Sequence, residues 1–336
     1  TPDPKVESSH PSRGPMRAAL LLPLASVLLQ ATPPTLPLEE ATTRILEAFD
    51  EDLSPGKLPV PVVRAQDRPV LDWLLAALRE DLPRNPFPRG SRSHREAEAL
   101  RSLLAAPLGE WGARIQKLPL TQAGSQAALW RKGQTLARRG EMAKGLRHAW
   151  EDRLLRSGSN MSIRGWVLRH AFCFALAEAD EARFEALKTA CGAEVPELAA
   201  QFQRAFALLG GPMPRIYLWS LPELEALDLP LGRLGSRLSI LPLEPGTPPP
   251  PEGSAWIVPC MRSNHPVQLS SLEGESLEEA RRIAEGIRAL GRKAYLAPSR
   301  DPFLACALAY FPIDIRLDAT GLIQTIRMGD AALAQE

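Results

Sequence analysis

A chain of 336 residues with 45% apolar and 24% charged residues is long enough for two domains of ordinary size, and it is neither a fibre nor a disordered tail. Its formal charge of +1 gives no long-range field to gather phosphate backbones or anionic lipid, and no Lys/Arg run is interleaved with aromatics, so nucleic acid is excluded as an expected partner. Thirty-three prolines, about twice the usual share, gather in residues 1–60, around 83–88 and between 212 and 266, where linkers or irregular loops are expected.

Near the start, Met16-Arg17 is followed by the unbroken apolar run AALLLPLASVLLQA (18–31) and then by TPPTLP. A short basic end, an apolar run too short for a comfortable membrane span and a small residue, Ala31, at the cleavage point predict a secretory signal peptide over 16–31. Residues 1–15 are then a disordered extension or an artefact: a misplaced upstream start, a partial reading frame or an expression remnant. The mature chain is expected to begin near Thr32, in the periplasm or outside the cell, with no stable membrane span once the signal is removed. In an oxidising compartment an even number of cysteines can pair, so Cys173, Cys191, Cys260 and Cys306 are possible disulfide partners; three pairings are open, and buried free thiols are the alternative at each position. The histidines, at 10, 94, 148, 170 and 265, form no Cys/His cluster with zinc spacing, and neither a metal nor a cofactor is expected.

Residues 37–53, 67–82, 93–117, 121–139, 141–157, 162–178, 180–191 and 195–209 carry apolar residues at three- and four-residue steps, which predicts helices. Short breaks of Gly, Pro, Asn and Ser between them suit antiparallel hairpins. Trp73, Trp111, Trp130, Trp150 and Trp166 fall on apolar stripes and are read as core anchors. The stretch 128–158, with Trp130 in its first helix, Gly140 at the break and Ala143 and Ala149 in its second, resembles one tetratricopeptide unit; 165–192 is a poorer second hairpin, and the period is not constant. From Gly210-Gly211-Pro212 short apolar runs replace long periodic ones. A helical-hairpin domain over 32–211 is therefore expected to give way to an α/β domain over 212–336.

Strands are expected at 215–221, 236–244, 254–260, 292–298, 312–318 and 322–328, and TPPPPEG (247–253) is read as a polyproline loop. Between the third and fourth runs, SLEEARRIAEGIRALG is a helix with a Ser276/Glu279 capping box, an apolar face of Leu277, Ala280, Ile283, Ala284, Ile287 and Leu290, and Gly291 as its stop. Strand, helix and strand in that order predict a right-handed crossover joining a parallel pair, to which the last two runs add an antiparallel hairpin.

Phe311-Pro312, then Asp318 and Ala-Thr-Gly321-Leu-Ile323, with Gly329 after the last strand, resembles the proline, strand and Asp-x-x-Gly turn of thioredoxin-like proteins, above all the secreted thiol-disulfide oxidoreductase and peroxiredoxin-like branch. The resemblance covers 212–336 and implies a mixed central sheet, a cis-proline loop at Phe311-Pro312 and a tight turn at Asp318–Gly321. The family carries Trp-Cys-x-x-Cys at a helix start, where the dipole and the second thiol lower the first thiol's pKa. Here the only comparable string is Trp256-Ile257-Val258-Pro259-Cys260, which lacks the first cysteine, so a two-thiol cycle has no partner to release a mixed disulfide. The string is either the degenerate active-site loop or a buried strand with Cys260 in the core. A second resemblance, of 255–298 to one half of the peptidoglycan-binding sporulation-related repeat, lacks the opening Gln-x-Gly and would have only DPFLACALAY as the second helix.

The expected function is that of an exported cell-envelope protein in which a redox-inactive thioredoxin-like module accompanies helical hairpins that bind another envelope protein, acting in interaction or assembly. The alternatives are a single-cysteine thiol-disulfide or peroxide oxidoreductase using Cys260, or in second place Cys306, with His265 either its base or a solvated loop residue, and the peptidoglycan-binding module. Asp314 and Asp318 are read either as a polar pair near the proline or as a strand-end residue and a turn residue. No phosphate loop, Gly-x-Ser-x-Gly, His-Glu-x-x-His or dinucleotide fingerprint is present.

Overall fold

In this computed structural model the structure describes residues 34–50, 58–79, 85–157, 160–214, 218–219, 226–227, 236–240, 255–259, 275–297, 307–308 and 310–334. The expected signal peptide, the polyproline loop, Cys260, His265 and Cys306 lie outside them, as does most of the second helix required by the sporulation-related repeat.

Nine described helices fill the first part: α1 (Leu38–Asp50), α2 (Arg68–Leu78), α3 (Arg92–Leu104), α4 (Leu108–Ile115), α5 (Ala123–Arg138), α6 (Lys144–Leu155), α7 (Met161–Ala177), α8 (Glu181–Cys191) and α9 (Pro196–Phe206). The continuous helix expected over 93–117 is two helices. Pro107 lacks an amide hydrogen and sits in extended backbone (φ −56°, ψ 144°), so the chain stops at Leu104 and restarts at Leu108. Side-chain oxygens close three helix starts, Ser91 accepting from the His94 amide, Asn160 from Ser162 and Asp180 from Arg183.

The five tryptophans expected in the core are there, each at most 5% exposed. Burying a side chain of this size contributes about 1.5–3 kcal/mol or more. Trp130 and Trp150 stack with centroids 5.3 Å apart and planes 9° from parallel. They meet because α5 has no side chain at Gly133: a Cβ there would stand 2.1 Å from the Trp150 ring.

Beyond Pro212 the described chain forms a sheet of β1 (Leu218–Trp219), β2 (Ala226–Leu227), β3 (Arg237–Ile240), β4 (Ala255–Pro259), β5 (Ala294–Ala297), β6 (Ile313–Leu317) and β7 (Ile323–Met328), with α10 (Glu275–Ala289) between β4 and β5 and the single turn α11 (Asp330–Leu333) after β7. The order is β2-β1-β5-β4-β3-β6-β7. β3, β4 and β5 run parallel, while β6 against β3, β7 against β6, and β1 against β5 and β2 are antiparallel. The architecture is thus helical first, with a mixed sheet in the C-terminal part.

α10 begins at Glu275, buries Ala280, Ala284 and Ile287, and stops at Gly291, whose φ of +75° a residue with a side chain rarely adopts. Leu290, expected on its apolar face, lies past the last turn and is 70% exposed. The short pair β1–β2 takes its first strand from the run expected at 215–221, of which the described residues Leu218 and Trp219 form strand, and its second, Ala226–Leu227, from the stretch 221–244 that resembles a thioredoxin-like entry hairpin and first core strand.

The described residues between Thr35 and Ala334 fall in one compact unit. Leu238, Ile240, Ile313, Ile315, Ile326 and Met328 belong to the same buried cluster as the helix residues, and the Gly210-Gly211 junction is tied to the β7 start by hydrogen bonds from Gly210 N to Ile323 O and from Ile323 N to Gly211 O, each 2.8 Å. Among the described residues no helix is long and apolar enough to cross a membrane.

Candidate functional site

The expected proline loop lies at one end of the central strands. The register sets Ile240 of β3 opposite both Ile257 of β4 and Ile313 of β6, so Pro312 enters β6 at the same sheet end where Pro259 closes β4. The Phe311-Pro312 peptide is cis. The carbonyls of Tyr310 and Pro312 both accept from the Gly329 amide, at 2.8 and 2.9 Å, and Tyr310 stacks on Phe202 of α9 with centroids 5.5 Å apart. Phe311 is half-buried against the common core. This backbone is engaged from within the protein.

At the far end of the hairpin, Asp318 and Gly321 make the turn. The exposed Asp318 Oδ1 accepts from the Thr320 hydroxyl (2.6 Å), the Thr320 amide (2.8 Å) and the Leu322 amide (3.0 Å). The Thr320 hydroxyl and then the Leu322 amide hold its pKa below the usual carboxylate range. Gly321 takes φ +84° and donates to Asp318 O. Asp314 is engaged elsewhere, accepting both arms of Arg237 at 2.8 and 2.9 Å. The two aspartates are therefore a strand residue with an ion pair and a turn residue.

Cys173 and Cys191 are buried free thiols. Burial raises both pKa values, and at Cys173 the nearby Asp330 charge adds to the effect, so neither is a ready thiolate.

The densest buried polar group was not expected as a site. It gathers around His170 of α7, 2% exposed, whose ring stands at 85° to both Trp130 and Trp150. His170 Nδ1 lies 2.8 Å from Asp330 Oδ2, at the first turn of α11, and that carboxylate also accepts from Gln134 Nε2 (3.0 Å) and Arg138 Nε (2.6 Å) of α5. On the other side stands Glu151 of α6, 1% exposed, with Oε2 accepting from Arg183 of α8 at 2.8 Å. Arg147 reaches Glu178 at 2.6 Å and lies 4.3 Å over the Phe174 ring. Burial, the largest influence on Asp330, raises its pKa. The His170 hydrogen bond and charge, Arg138 and Gln134 outweigh it and hold the group well below the usual carboxylate range. The arrangement fixes four helices and the turn after β7 about one imidazole, with His170 and Glu151 at its centre closed to solvent.

Where this cluster reaches the surface, ligand atoms of His148, Glu178 and Asp180 lie within 4.8 Å of one another. Lys144 Nζ already bridges Asp180 (2.6 Å) and Glu178 (3.1 Å), with Arg147 on the same Glu178, so a cation would have to displace two others.

In the sequence His170 was one of five scattered histidines, and its partners stand 19 and 160 residues away. The usable signal was α7 itself: around His170 the run Ala171–Ala177 is apolar without a break, so that part of the helix is buried, and a histidine within it must find a polar partner. Compared with protein-family models, curated proteins and solved structures, the chain gives no match.

Proposed function

We propose that the chain is an exported cell-envelope protein that acts by binding another protein in interaction or assembly, with the helical hairpins as its binding part and the sheet as a thioredoxin-like module without a redox pair. The order β4-β3-β6-β7, paired parallel, antiparallel, antiparallel, and a proline at the head of β6 beside β3 support the thioredoxin-like reading. The observation that carries the non-enzymatic reading is the proline loop: the Tyr310 and Pro312 carbonyls accept from Gly329 and the Tyr310 ring stacks on α9, so these two carbonyls are already engaged within the protein. Disulfide-reductase assays of the purified chain and of Cys260→Ser test this. Background rates in both are expected; strong turnover abolished in Cys260→Ser overturns the reading.

One observation favours a second reading, a single-thiol oxidoreductase using Cys260: Pro259, the residue before it, closes β4 at the sheet end from which Pro312 enters β6. Alkylation of Cys260 by a charged reagent across pH separates the two. Slow reaction with the dependence of an ordinary or raised thiol supports the binding protein, and fast reaction well below the ordinary thiol range supports the enzyme.

A further inference from the structure

We infer that His170 carries a hydrogen on both ring nitrogens, so that the helices and the β6–β7 hairpin are locked together by an imidazolium held between two carboxylates, Asp330 on one side and Glu151 on the other. Nδ1 is 2.8 Å from Asp330 Oδ2, and an ionised carboxylate only accepts, so Nδ1 donates. Nε2 then faces Glu151 Oε1 at 3.9 Å. Both side chains are 1% exposed, and neither atom has a hydrogen-bond partner in the protein. Arg147 Nε, 3.6 Å from the same oxygen, supplies charge without a hydrogen bond. A bare Nε2 here would set two acceptors face to face away from water, each left without a donor. A hydrogen on Nε2 turns the same geometry into an attraction between opposite charges.

The two carboxylates that meet the ring are themselves held by other groups: Asp330 of α11 by Gln134 and Arg138 of α5, and Glu151 of α6 by Arg147 of α6 and Arg183 of α8. Further out, Glu178 is shared by Arg147 and Lys144, and Asp152 pairs with Arg183. In the buried centre itself the ring stands between the carboxylates of Asp330 and Glu151, and a positive ring between them supplies the opposite charge that buried carboxylates require.

The test is nitrogen-15 NMR of the full chain with labelled histidine at neutral pH, the His170 signals being identified by substituting the other histidines in turn. Two ring nitrogens each bonded to a slowly exchanging hydrogen are expected. An Nε2 signal without an attached hydrogen overturns the inference whatever else occupies the gap. Glu151→Gln gives the second reading: its amide donates to Nε2, so the ring should revert to a single N–H. A ring still doubly protonated in that variant removes Glu151 from the lock.

Discussion

Asp314 and Asp330 flank the same hairpin, and they find their counter-ions at very different sequence distances. Asp314, within β6, is met by Arg237 from the adjacent strand β3, 77 residues back, in a pair that the sheet register alone brings together. Asp330, just past β7, is met by Gln134, Arg138 and His170, at 196, 192 and 160 residues. The first pair reinforces a sheet that hydrogen bonds already define. The second fixes where the hairpin sits against α5 and α7, and no backbone ladder does that work.

Removing each carboxylate is the strongest way to break this comparison. Asp330→Ala strands the buried His170 and the part-buried Gln134, while Arg138, 45% exposed, turns to water; it is expected to cost about 3–5 kcal/mol. Asp314→Ala leaves Arg237, which is 20% exposed and turns to water, so about 1–3 kcal/mol is expected. Denaturant midpoints at unchanged slope measure both, and an Asp314→Ala loss equal to that of Asp330→Ala would show that the hairpin needs no polar anchor on the helices. Acid sharpens the same point. Because the folded Asp330 pKa is depressed, its stabilisation is fully present above the unfolded value and is lost as pH falls through the folded one, so the loss begins below about pH 4. Asp330→Asn should be less stable at neutral pH and lose less on acidification; parallel acid limbs would remove Asp330 from the account.

Next in size is the close approach of α5 to α6. Gly133→Ala drives a Cβ into the Trp150 ring and is expected to cost about 1–3 kcal/mol. Gly145→Ala, on α6 with nothing within 4 Å, is expected to stabilise by about 0.4–1 kcal/mol. Opposite shifts in Tm from one chemical change would assign the Gly133 effect to packing.

What could be read in advance divides along the same line between local and distant partners. Helices α1–α9, the β4–α10–β5 unit and the final hairpin were legible because each is announced by its own periodicity, by Gly291 as a stop, or by Pro312, Asp318 and Gly321. The break at Pro107 was missed because apolar spacing runs through it unchanged. His170 was missed for a different reason: nothing within its helix says that Glu151 or Asp330 will face it. Ile257, which the resemblance to thioredoxin-like proteins sets at the place of the first cysteine, is a core residue of β4 in the structure.

The weakest expected effect tests whether depth, rather than the number of ion pairs, sets the strength of the charged network. Lys144 bridges Asp180 and Glu178 from a position 51% exposed, and hydrogen bonds to Asp180 and then Glu178 raise its pKa. Arg147 reaches the same Glu178 from a position 6% exposed. Asp180 also caps α8 through the Arg183 amide, so Asp180→Ala loses about 1 kcal/mol of cap together with the ion pair. A double-mutant cycle of Lys144→Met with Asp180→Ala separates the two, and its coupling should stay at about 0.2–1 kcal/mol and shrink with added salt. A coupling as large as the Asp330→Ala loss would mean that water does not weaken the outer pairs, and that the network works as one unit from surface to core.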